Sequence, residues 1–133
     1  MVENEFISIN IAVVTISDSR ELKNDKSGDT LVNRITKFGH KVTVREIVKD
    51  DFNTISDLFK KLLKNEDIDV IISTGGTGLT GRDITPEVME TLFEKTIDGF
   101  GEMFRWLSYK KINTSALQSR ALAGVASGKY IFC

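Results

Sequence analysis

The run Val70-Ile71-Ile72-Ser73-Thr74-Gly75-Gly76-Thr77-Gly78-Leu79-Thr80-Gly81-Arg82-Asp83-Ile84-Thr85-Pro86-Glu87 decides how the chain is read. Its opening, Val70 to Ser73, is apolar and β-branched, as a short strand requires. Its close reads as N-cap, proline at the first helical position and an acid in the first turn, so a helix starts at Thr85 and runs to about Glu94. A strand feeding a helix through a glycine-rich loop is the unit of a parallel α/β sheet. The glycines at 75, 76, 78 and 81 permit positive φ and remove the Cβ atoms that would hold an oxyanion off the backbone, while Thr74, Thr77 and Thr80 add hydroxyl donors. No Gly-Lys-Ser/Thr ending makes this a Walker loop, and a dinucleotide fingerprint would follow the first strand instead. On spacing alone, a structural turn and a phosphate cradle stand level.

Working outward toward the N-terminus, Ile9 to Ile16 is apolar almost throughout, which suits a central strand covered on both faces by helices. Ser27 is placed to cap a helix in which Leu31, Val32, Ile35 and Phe38 recur at helical spacing until Gly39 stops it. Lys41 to Val48 alternates as a second strand, and Phe52 to Leu63 carries Ile55, Leu58, Phe59, Leu62 and Leu63 on one helical face. On the C-terminal side, Gly101 to Lys111 reads as a helix, and Ala121 to Val125 with Lys129 to Phe132 as closing strands around Ser127-Gly128. Strands separated by helices lie parallel with right-handed crossovers. The expected fold is α/β: a three-layer, doubly wound, mostly parallel sheet with helices on both faces. The 133 residues carry no repeat, low-complexity tract or linker, so residues 1–133 are expected to form one domain.

Composition excludes several classes. With 18 Lys+Arg against 19 Asp+Glu, the net charge of -1 gives no field to attract nucleic acid or an anionic membrane, so an anionic ligand has to be held locally. One histidine and one cysteine cannot build a zinc site or an internal disulfide. The apolar runs are too short to span a bilayer, and the acidic start Met1-Val2-Glu3-Asn4-Glu5 lacks the basic flank of a signal peptide. A cytoplasmic protein is expected.

Ligands of an open parallel sheet bind beyond the carboxyl ends of its strands. There the chain gathers Ser17, Asp18 and Ser19 with Asp25 to Asp29 after the first strand, Asp50 and Asp51 after the second, and the glycine loop after the third. Asp83, with Asp50 or Asp51 and with Asp18 or Asp29, could hold a hydrated Mg²⁺ against ligand phosphates. The bland alternative makes Asp29 and Asp83 helix caps and Asp50-Asp51 a polar turn; for Asp50 or Asp51 taken singly that alternative is favoured, and for Asp83 the functional reading, since Thr85 and Glu87 already suit the helix start. His40 falls at the opposite end of the second strand, Cys133 reads as incidental, and Phe104 and Trp106 read as core residues of an amphipathic helix.

Residues 73–87 closely resemble the signature of the molybdopterin-binding domain shared by molybdopterin adenylyltransferase, molybdenum cofactor biosynthesis protein B and the G domain of gephyrin. Thr15-Ile16-Ser17-Asp18-Ser19 with Asn24 to Gly28 is similar to the family's first loop. Phe100-Gly101-Glu102-Met103-Phe104-Arg105 and Leu117-Gln118-Ser119-Arg120-Ala121 resemble its later segments, in wording nearest to protein B. The resemblance implies molybdenum cofactor biosynthesis by transfer of AMP from Mg-ATP to the terminal phosphate of molybdopterin, with release of pyrophosphate. It implies catalysis and Mg²⁺ binding by Asp83 and an aspartate after the second strand, Asp50 or Asp51, of which Asp50 is taken, and substrate binding by Ser17, Asp18, Ser27, Gly28, Thr74, Gly75, Gly76, Thr77, Gly78, Glu102, Ser119 and Arg120. A homo-oligomer, trimer or hexamer, is also implied, as is a C-terminal turn and helix that this chain would lack. A protein that binds molybdopterin without catalysis and a partner-binding scaffold on the same fold are the alternatives.

Overall fold

The computed structural model describes residues 5–133, so four of the five residues of the acidic start, Met1 to Asn4, lie outside the described residues. Strands β1 (Asn10–Ile16), β2 (Lys41–Val48), β3 (Val70–Thr74), β4 (Lys95–Thr96), β5 (Ala123–Ala126) and β6 (Lys129–Phe132) form one sheet in the order β2-β1-β3-β6-β5-β4. β1 pairs in parallel with β2 and β3, and β3 with β6; β5 runs antiparallel to β6 and β4. Helices α1 (Lys26–Lys37), α2 (Phe52–Leu63), α3 (Thr85–Leu92) and α4 (Asp98–Ile112) complete the chain, with 3-10 turns at Leu22–Asn24 and Asn113–Gln118. The expected mostly parallel α/β sheet is present, with an antiparallel edge.

Alternation along β1 assigns the two faces. Ala12, Val14 and Ile16 pack with Ile71 and Ile131 against Ile55, Phe59 and Leu62 of α2 and Val88 and Met89 of α3. Ile11 and Val13 point the other way and join Val70 and Ile35, with Leu31 and Val32 of α1 against them. Both faces of β1 are therefore dry, as its continuous apolar run requires. Phe100 of α4 lies 5.3 Å from Phe132 of β6, which brings α4 to the α1 side of the sheet.

Four local expectations need correction. The cap of α1 is Asp25, whose carboxylate accepts from Gly28 N at 3.0 Å, so Ser27 lies inside the first turn. Thr85 is not the cap of α3: Ile84 holds that position, and Thr85 is buried with its hydroxyl donating to Gly75 O. The two-residue strand β4 is too short to show a period, and α4 starts at Asp98 instead of Gly101. Phe104 and Trp106 are 43% and 58% exposed, so α4 does not bury them in this chain's core.

Candidate functional site

The loops after β1, β2 and β3 meet at one edge of the sheet. Ser17 N donates to Val48 O at 2.8 Å, tying the end of β1 to the end of β2. Asp50 N donates to the Asp18 carboxylate at 3.1 Å, and Arg82 from the third loop pairs with the same carboxylate. The Ser17 hydroxyl accepts from the N–H groups of Ser19 and Arg20, closing the turn that presents Asp18.

The glycine loop is built by turning its carbonyls inward. Gly75 O accepts from the Thr85 hydroxyl, Gly76 O from Thr85 N, Thr77 O from Arg120 N and Gly78 O from Arg120 Nε at 2.6 Å. The N–H groups of Gly76 and Thr77 meet no protein acceptor among the described residues. Carbonyls fastened to Thr85 and Arg120, beside amides without a protein partner, are what a backbone anion nest requires. Only glycine fits the turn: Gly75 and Gly76 have φ of +95° and +73°, and added Cβ atoms would lie 2.2 Å from Ile16 O and 2.3 Å from the Thr85 hydroxyl.

Arg120 is the peg of this loop. Besides Gly78 O it donates to Asp83 O and, through both Nη atoms, to Glu87 at 2.5 and 3.0 Å. That guanidinium holds Glu87 below the usual carboxylate range. Arg120 thus holds the loop from behind, a position its sequence context alone does not disclose.

The carboxylates divide by task. Asp51 caps α2, accepting from Thr54 N at 2.9 Å and its hydroxyl at 2.8 Å, and these bonds lower its pKa. Asp29 pairs with Arg45 at 2.7 Å on the first turn of α1. Asp83 accepts the Thr80 hydroxyl at 2.7 Å and Thr80 N at 3.0 Å, which, with the hydroxyl bond foremost, hold it low against burial. Asp50 differs: one of its oxygens is buried with no hydrogen-bond partner, and burial, then the charges of Asp83 and Asp18, push its pKa up despite the Ile84 N–H and Arg82. Of the pair after β2, Asp50 is therefore the one that shares a field with Asp83 and Asp18. Among the described residues, no three acids, thiols or imidazoles converge closely enough to hold a metal by themselves.

Beside the acids, a cleft of about 560 Å³ opens between α1 and α4 over the carboxyl ends of β3 and β6. Ser27, Thr74, Gly75 and Thr77 form its polar edge, and Leu31, Phe100, Phe104 and Phe132 its apolar wall. From the sequence, Phe104 reads as core in preference to stacking on a ring, and Phe100 is given no role; both line the cleft, at the four-residue spacing that puts them on one helical face. The buried Ser73 hydroxyl lies at the cleft beside Cys133. Cys133 lines it too, and burial pushes its thiol up to about 12, so it is no nucleophile at neutral pH.

Two further residues fall into place. Gly28 lies under the cleft's rim, where a Cβ would strike the Asp25 carboxylate at 2.0 Å. That carboxylate, gathered at this edge from the sequence but given no role there, is fully buried and accepts from Thr15, Gly28 N and Arg45. Ser119 accepts from Ala121 N next to the cleft, whereas Glu102 is exposed on α4 and does not line it. His40 accepts from Ile9 N and packs on Phe6, at the opposite end of the sheet as expected.

Fold and site together define a doubly wound α/β domain whose strand ends offer an amide-lined loop, an acidic cluster and a ring-sized apolar cleft. The family described as "Probable molybdopterin binding domain" matches residues 12–133, and the chain belongs to it. It is 46% identical to molybdenum cofactor biosynthesis protein B of Bacillus cereus over 90% of this chain and 72% of that protein. Against the Escherichia coli K12 protein of the same name, identity is 43% over 98% of this chain and 77% of that one. A crystal structure of molybdenum cofactor biosynthesis protein B superposes with a TM-score of 0.91 at 44% identity, covering 95% of this chain and 79% of the other. The tungsten cofactor synthesizing protein MoaB from Pyrococcus furiosus gives 0.82 at 33%, covering 94% and 80%.

Proposed function

We propose that this protein acts in molybdenum or tungsten cofactor biosynthesis as a molybdopterin adenylyltransferase, working in the cytoplasm as a homo-oligomer, trimer or hexamer. A terminal phosphate oxygen of molybdopterin attacks the α-phosphorus of ATP, the bond to the bridging oxygen breaks, and pyrophosphate leaves. The observation that carries this reading is the fastening of four consecutive loop carbonyls inward beside an acid, Asp50, whose buried oxygen lacks a partner. Family membership and the names of the relatives support the pathway.

The apolar cleft suits a flat ring, adenine or pterin, and the Gly76 and Thr77 amides suit its phosphate. Asp50 and Asp83 are the residues that would hold Mg²⁺, and the unpaired Asp50 oxygen fits that task. A Mg²⁺ ion held by them would neutralise the charge of the ligand's polyphosphate. The protein's own contribution is positioning: no covalent intermediate on a side chain is required. The exposed apolar side chains of α4, Met103, Trp106, Leu107 and Ile112, support burial against another copy.

The test is formation of adenylylated molybdopterin from molybdopterin, ATP and Mg²⁺. Product is expected with the wild type, and Asp83→Asn is expected to lower the rate by about 10²-fold or more. Retained molybdopterin binding without product would replace the transferase with a binding protein of the B type, and absence of binding would leave the scaffold.

A further inference from the structure

Several cations act on the acidic edge: Lys49 on Asp18, Arg120 on Asp83, and Arg82 on both Asp18 and Asp50. Asp18, Asp50 and Asp83 share a field, and the cation that reaches into it from the loop tip is Arg82. Its Nε donates to Asp18 at 2.7 Å and one Nη to the same oxygen, which is the foremost reason that Asp18 is held low. Of the five N–H donors of a guanidinium, about three are left over, and the side chain is 72% exposed.

A structural latch is the competing explanation, and the loop makes it redundant. Thr85 fixes Gly75 and Gly76, Arg120 fixes Thr77, Gly78 and Asp83, and Asp83 fixes Thr80. An exposed ion pair adds little stability to a loop already held from behind. What the pair with Asp18 does accomplish is to orient a planar fork in the field of Asp50, with donors left over of the kind that phosphate oxygens accept.

We propose that Arg82 is a phosphate-binding residue of this site, with Asp18 as the positioning residue that holds its guanidinium. This rests on the reading that the site takes phosphorylated ligands; the shared chemistry is a phosphate oxyanion, from the nucleotide's polyphosphate or the pterin's monophosphate.

The test is calorimetric binding of Mg-pyrophosphate, Mg-ATP and molybdopterin to wild type, Arg82→Gln and Arg82→Lys, with thermal melting of each protein. Arg82→Gln is expected to weaken at least one of the three by about tenfold with an unchanged melting midpoint. Loss with Mg-pyrophosphate and Mg-ATP assigns Arg82 to the nucleotide, and loss with molybdopterin assigns it to the pterin phosphate. Arg82→Lys, which keeps the charge and loses the fork, is expected to recover only part; it also serves if the glutamine variant melts early. Arg82→Gln binding all three as tightly as wild type overturns the proposal. A wild type that binds these ligands but forms no product removes the transfer reaction and leaves Arg82 in its role; a wild type that binds none overturns both.

Discussion

Asp25 and Asp50 sit on loops of the same sheet edge, yet their surroundings push them in opposite directions. Burial alone would raise both; around Asp25 the Thr15 hydroxyl, the Gly28 N–H and Arg45 outweigh it, and around Asp50 nothing does. For Asp25, the folded state keeps the charged form below its unfolded pKa, so its stabilisation is present above about pH 4 and lost as pH falls through the folded value. Asp25→Ala is expected to cost about 3 kcal/mol in denaturant unfolding, because Arg45 and the α1 N-terminus lose a buried partner. Asp50 has the reverse sign: its folded pKa lies above the unfolded one, so the native state binds more protons and stability declines as pH rises through that window. Asp50→Asn is therefore expected to melt above wild type at pH 8, with the gain vanishing near pH 4, while ligand binding that needs Mg²⁺ is lost. Two adjacent aspartates look alike in the sequence; the fold separates them, because Asp51 meets Thr54 as a helix cap and Asp50 does not.

At the scale of elements, the strand, loop and helix of residues 70–92 behave as one device. Gly76→Ala would put a Cβ against the Thr85 hydroxyl at a positive φ, so ligand binding is expected to fall more than tenfold even where the chain still folds. Arg120→Ala is expected to weaken ligand binding while leaving the core transition intact, since it frees Gly78 O and Asp83 O without opening a cavity under the sheet. Phe59→Ala, by contrast, empties a fully buried site between α2 and the sheet and is expected to cost about 3–5 kcal/mol in unfolding without a specific effect on the loop. The helical periods of α1 and α2 were legible because each buries one stripe. Those of α4 misled, because apolar residues at helical spacing say that a face is to be covered and not by what.

For the molecule as a whole, the covering of α4 is the open surface. Trp106 carries Lys110 over its ring at 3.9 Å, which leaves an amphipathic and not a fully apolar patch. Sedimentation at micromolar concentration is expected to show an oligomer, and Trp106→Glu to shift it toward monomer while the melting transition remains; a monomeric wild type would contradict the assembly. Among the described residues, no helix is long and apolar enough to cross a membrane.

The sequence by itself determined the alternation of strands and helices, the dry central strand and the glycine loop, because periodicity and backbone permissiveness are local properties. It also carried the family signature, which membership now bears out. Only the tertiary structure decided which carbonyls the loop turns inward, which of two aspartates shares the field of Asp83, and that Asp25 and Arg120 are pegs. Those outcomes depend on groups 9 to 43 residues apart meeting at the sheet edge, and no local pattern encodes a hydrogen bond whose partner arrives from another element.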